Sequence, residues 1–331
     1  MKIALFISDV HQPFGKQIIK TMESYARERG VELHVFASFG LQDNNLLHAE
    51  GEKSILYLAN LDNYQCIMVA GDTMARYDMH DELVAHLERN AKCPVLGIRH
   101  EEAGQYNVLV HNQAAMYEVT KHFLYEHRMK KVCFVTGRMN SPDAKERLDG
   151  YLEAMNEAGI EVEDRMIFEG DYWRNKGPEI LDYFLKGYDG SLPEAIVFSN
   201  DYMALSVCDE LIKRGYKIPD DICISGFDDL EEAQMYLPPL TTVKVPFENM
   251  ARAALGMAID LANGDVVPKI RWIESKIRYR GSCGCNKDSV FFHKDIYHRQ
   301  MMQVRYMTKQ AIYMQSDSGS ASTEEECFDF A

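Results

Sequence analysis

Short apolar runs of strand length alternate with longer amphipathic segments from the first residues of this chain onward. The runs fall at 3–8, 32–37, 66–70, 95–98, 131–136, 195–198 and 222–226. Helical periodicity occupies 17–29, 81–90, 116–126, 144–158 and 202–214 between them. Gly30, Gly159 and Gly215 stand just past the last apolar turn of their segments, where a left-handed helix stop belongs. Strand, helix and strand at this spacing require crossover connections, hence parallel sheets covered on both faces. The alternation runs on too long for one small sheet, so the expected architecture is α/β with two doubly wound lobes. A further helix is expected over 247–261 and one alternating strand over 270–279.

Charge narrows the partners. With 36 Lys and Arg against 51 Asp and Glu, the net charge of −15 repels phosphate and argues against nucleic acid bound over a broad face. No apolar stretch approaches the roughly 20 residues of a membrane span, and the start turns acidic too early for a secretory signal. Of the eight cysteines, Cys66, Cys133 and Cys223 lie inside apolar runs, as packed thiols of a reducing compartment do. The expected location is the cytoplasm. Cys283-Gly-Cys285 stands apart, but two thiols do not complete a tetrahedral site and no Cys/His pair follows at finger spacing. No metal and no cofactor are expected.

The motifs of common catalysts are missing: no phosphate-binding glycine loop, no dinucleotide fingerprint, no His-Glu-x-x-His and no nucleophile elbow. Polar clusters gather instead where strands end, at Asp9–Phe14, at 141–151, at 199–204 and at 226–229. That is where ligands sit in open α/β sheets, which favours a binding protein over an enzyme. Asn200 also suits a helix cap, Arg147 an exposed ion pair and Asp228 a turn brace. Trp173 fits either a cleft wall or a loop cover.

The stretches QPF (12–14), KERLDGY (145–151), FSNDYMAL (198–205), GYKIPDDICISGFDD (215–229) and PPLTTV (238–243) occur in one order over most of the chain. In this they resemble the effector-binding core of the lac/gal repressor family, over about residues 2–281. The resemblance implies the type-I periplasmic-binding-protein-like fold, two lobes joined by three crossovers around a small-molecule effector. It assigns Arg147, Asn200 and Asp228 to ligand hydrogen bonding, Phe14 to the first-loop wall and Tyr172 to an aromatic wall. Arg99, followed by His100, stands where many members carry Asp. With Arg147 it points to a sugar-like ligand bearing an anionic group. The implied lobes are 1–110 with 247–270, and 111–246 with 271–282. A homodimer is implied as well.

The family's N-terminal helix-turn-helix has no counterpart before the first strand, so no direct binding to nucleic acid is expected of this chain. Residues 288–315 carry a heptad pattern, with Val290, Tyr297, Val304 and Ala311 on one seam, that reads as a signalling helix or a coiled coil. Residues 316–331 read as a linker and the start of a further domain. The stretch from Arg280 through the heptads resembles bacterial sensors whose later domains are diguanylate cyclases. A C-terminal DNA-binding domain of the AraC type and a stand-alone sugar-binding protein are the alternatives.

Overall fold

The computed structural model describes residues 1–10, 12–39, 46–74, 77–101 and 105–285. The expected 288–315 helix and 316–331 linker lie outside them. The elements run β1 (Lys2–Ile7), α1 (Pro13–Arg29), β2 (Glu32–Ala37), α2 (Leu46–Leu56), β3 (Cys66–Val69), α3 (Tyr77–Asn90), β4 (Val95–Ile98), β5 (Tyr106–Val110) and α4 (Asn112–Lys121). They continue through β6 (Val132–Thr136), α5 (Pro142–Glu157), β7 (Ile167–Glu169), α6 (Gly177–Gly187), β8 (Ala195–Phe198), α7 (Asp201–Lys213) and β9 (Cys223–Phe227). The last described are α8 (Glu231–Met235), β10 (Thr241–Lys244), α9 (Phe247–Asn263), β11 (Ile270–Ile273) and β12 (Lys276–Arg278).

Two six-stranded sheets result, in the orders β11-β5-β4-β3-β1-β2 and β12-β10-β9-β8-β6-β7. The pairings are parallel except for β12, which runs antiparallel to β10. Alternation along β1 shows why both faces need cover. Ile3, Leu5 and Ile7 join one core while Ala4 and Phe6 join the other, all fully buried. Local signals close the helices: Gly30 adopts φ 65° and the Val31 amide donates back to the Ala26 carbonyl at 2.9 Å. Gly159 and Gly215 are left-handed too, at φ 69° and 86°.

Among the described residues the chain passes between the sheets three times, after β5, after β10 and after β11. The last passage corrects the single strand expected over 270–279. Ile270–Ile273 pairs with β5 in the first sheet and Lys276–Arg278 with β10 in the second. Alternating side chains report which face a residue takes and not which neighbour its backbone bonds, so the break was invisible. The helix expected over 116–126 also divides, ending as α4 and continuing as one π-turn over His122–Glu126. No helix among the described residues is long and apolar enough to cross a membrane.

Candidate functional site

Both sheets aim the ends of their central strands at one cleft between the lobes, which holds a cavity of about 220 Å³. Asp9 follows β1, Asp72 follows β3 and Arg99 follows β4 on one side. Tyr172 follows β7, Asn200 follows β8 and Asp228 follows β9 on the other. Four of these non-glycine residues take the left-handed conformation: Asp9 (φ 51°), Arg99 (φ 59°), Tyr172 (φ 71°) and Asp228 (φ 108°). Each costs of order 1–3 kcal/mol, and such strain persists where surrounding structure holds a side chain to a task.

Arg99 bridges the lobes. Its Nε lies 3.1 Å from Asp72 Oδ2, and its other end reaches Asp143 Oδ2 at 3.4 Å and Asp228 Oδ1 at 3.9 Å, both across the cleft. Burial alone would depress the guanidinium, but Asp72, Asp143 and Asp228 outweigh it and keep Arg99 charged. Phe14 does not line the cavity. Its ring packs edge-on against Phe247 at 4.9 Å and sits 5.0 Å beneath the Arg99 guanidinium, so it supports Arg99 from behind.

Arg147 lines the cavity but is 2% exposed and largely committed to the protein. Its Nε donates to Asn112 Oδ1 (3.0 Å), one terminal nitrogen to the Ser199 carbonyl (2.6 Å) and the other to Asp143 Oδ2 (3.0 Å). The Phe227 ring lies 3.8 Å from the guanidinium carbon. Asn200 serves two internal contacts as well. Its Oδ1 accepts from the Met203 amide at 3.0 Å, capping α7, and its Nδ2 donates to the Tyr172 carbonyl at 2.9 Å. Both residues therefore frame the cavity by fixing its walls, a cap and a brace more than free donors.

Tyr172 is seated against Gly137, where a Cβ would fall 1.9 Å from the ring's Cζ, so only glycine admits the ring there. Trp173 lines the cavity and stacks on Tyr202, with ring planes 13° apart. The Tyr202 hydroxyl donates across the cleft to Gln12 Oε1 at 3.3 Å. Asp228 Oδ1 has no hydrogen-bond partner. Its neighbour Asp229 turns away, accepting from Arg280 at 2.6 Å, so these adjacent carboxylates do not converge.

The lining carries both signs of charge. Asp9, Asp72, Asp143, Asp171 and Asp228 line the cavity against Arg99, Arg138 and Arg147. Two arginines read alone implied a basic site, but the fold delivers more carboxylates than it does arginines. Burial, reinforced by Asp72 and Glu52, pushes Asp9 up to about 7. Burial likewise raises Asp72 to about 6, against the pull of Arg99. Asp143 was readable in advance, since it stands four residues before Arg147 on the same helix face. Asp9 and Asp72 had only their place after a strand to mark them.

Residues 121–283 match the family model described as a periplasmic binding protein-like domain. The chain is 26% identical over 260 residues to the HTH-type transcriptional repressor PurR of Aliivibrio salmonicida, covering 78% of this chain and 74% of that protein. It is 29% identical over 255 residues to the HTH-type transcriptional regulator AscG of Escherichia coli, covering 77% and 72%. Among solved structures, a complex of the transcriptional regulator CelR with cellobiose superimposes with a TM-score of 0.71, at 22% identity over 85% of this chain and 84% of that one. The lac repressor dimer bound to operator and an anti-inducer gives 0.70, at 19% identity over 86% and 81%. The fold is that of the effector-binding cores of LacI-type regulators.

Proposed function

We propose that this chain is the ligand-sensing core of a transcription regulator, and that its two lobes close on a small, neutral, hydroxyl-rich molecule such as a sugar. One observation carries the reading: the cavity lies at the carboxyl ends of both sheets, and Arg99 of one lobe pairs across it with Asp143 of the other. A ligand that stabilises this closed arrangement shifts the equilibrium between open and closed lobes by its differential affinity for them. The lining suits sugar hydroxyls, because carboxylates accept from them and the Trp173 and Tyr202 rings offer apolar faces. At about 220 Å³ the cavity falls below the roughly 300–1,000 Å³ of sites for drug-sized ligands, which favours a monosaccharide-sized effector.

The named relatives are transcriptional regulators, which favours transcription as the output over the cyclase expected from residues 280–314. The lac repressor structure is a dimer, and a homodimer is part of the proposal. Thermal-shift screening of neutral sugars beside sugar phosphates tests the ligand class. A neutral sugar should raise the Tm of the wild type, and Asp228→Asn should weaken that effect at least tenfold in ligand concentration. Stabilisation by phosphorylated sugars alone would overturn the reading.

A further inference from the structure

Away from the cleft, the second lobe gathers four soft ligands. Cys283 and Cys285 looked like an incomplete pair in the sequence, and the fold supplies the other half from more than 150 residues upstream. His122 and His127 face them from the π-turn after α4, and the four donor atoms all lie within 4.8 Å of one another. Cys285 Sγ is 3.3 Å from His122 Nε2 and 3.4 Å from His127 Nε2, and the two imidazole nitrogens are 3.0 Å apart. A tetrahedral zinc ion with bonds of about 2.0–2.3 Å holds its ligand atoms about 3.3–3.8 Å apart. The separations among the two imidazoles and Cys285 lie within a few tenths of an ångström of that range, and the Cys283 thiol stands within 4.8 Å of all three, so its side chain closes the site by a shift of up to about 1 Å.

We propose that His122, His127, Cys283 and Cys285 form a structural Zn²⁺ site that ties the end of the core to the π-turn.

Local backbone features converge on this cluster from both sides. Residues five apart on an α-helix point about 140° apart. The π-turn, in which the His127 amide donates to the His122 carbonyl at 3.3 Å, widens the spiral and brings both imidazoles onto one face. Between the thiols, Gly284 takes φ 89° and reverses the chain, a conformation that L side chains rarely adopt. Two thiols and two imidazoles match zinc and not calcium or magnesium, which want oxygen. On binding, each thiol gives its proton to solvent, and the two thiolates cancel the 2+ charge of the ion. That neutrality suits a half-buried place, with Cys283 and His122 buried and Cys285 exposed. All four positions come from protein, as in closed structural sites with no place left for substrate.

The test uses the full chain, reduced and stripped of metal, titrated with Co²⁺ and then with Zn²⁺. One Co²⁺ per chain should bind with the intense visible bands of tetrahedral cobalt and thiolate charge transfer in the near ultraviolet, and Zn²⁺ should bleach both. Cys285→Ser and His127→Ala, both at partly exposed positions, should weaken binding at least tenfold while thermal unfolding stays cooperative. Cys93→Ser should bind like the wild type. A weak octahedral spectrum, unchanged affinity in Cys285→Ser, or a Cys283–Cys285 disulfide formed in place of metal uptake would overturn the proposal.

Discussion

Replacing Asp9 with asparagine should stabilise the protein, and increasingly so as pH rises. Asp9 sits in the cleft with its carboxyl raised from 3.8 to about 7, first by burial and then by Asp72 and Glu52, with Arg138 opposing. A carboxyl that holds its proton more tightly folded than unfolded weighs against folding wherever the unfolded chain is ionised. The penalty is full above about pH 7, shrinks as pH falls and is gone near pH 4. Its full size is about 4 kcal/mol at about 1.4 kcal/mol for each tenfold difference in proton affinity. Water in the cleft screens part of it, so about 2–4 kcal/mol is expected at pH 8. Asparagine keeps the shape, cannot ionise and tolerates the left-handed φ of 51° at this position. Urea unfolding of both proteins at pH 4, 6 and 8 reads the effect. A difference near zero at pH 4 that grows with pH supports the argument. An advantage independent of pH, or a loss at pH 8, refutes it, because the Asp9 charge would then not be the destabilising element.

Arg147→Ala should lower the stability of the ligand-free protein by about 3–5 kcal/mol in urea unfolding, since it strands Asp143 and Asn112 in a buried network; an unchanged midpoint would refute the bracing role. Gly137→Ala should force the Tyr172 ring off its seat, cost about 1–3 kcal/mol and abolish any sugar-dependent rise in Tm; a full ligand response would show that this ring does not shape the cavity. Asn200→Ala should cost about 1 kcal/mol through the lost cap of α7, and it should also loosen the segment at Tyr172, read as faster amide exchange around residues 171–173.

Elements with local causes are legible in short windows of the chain. The strand at Ala195–Phe198, the helix stops at Gly30, Gly159 and Gly215 and the cap at Asn200 all follow from a few neighbouring residues. Strand ends marked where the polar side chains of Arg147, Asn200 and Asp228 would gather, while Arg99 and Tyr172 were expected from the family resemblance alone; all five line the same cavity. Tertiary structure decided everything that rests on who meets whom. The short strands Tyr106–Val110, Ile167–Glu169 and Thr241–Lys244 lack a strong pattern of their own and form because neighbouring strands offer hydrogen bonds. The bracing of Arg147 was out of reach of any local pattern, because its partners Asn112 and Ser199 lie 35 and 52 residues away. Arg99 and Arg147 were the charges expected at the site, and the fold brings aspartates from five separate positions into the lining of the same cavity. Cys283 and Cys285 lacked half a site until a π-turn aimed two histidines at them. Propensity and capping are properties of a window of the chain, whereas a binding site is a property of loops brought together by long-range packing, and no window contains both sides of it.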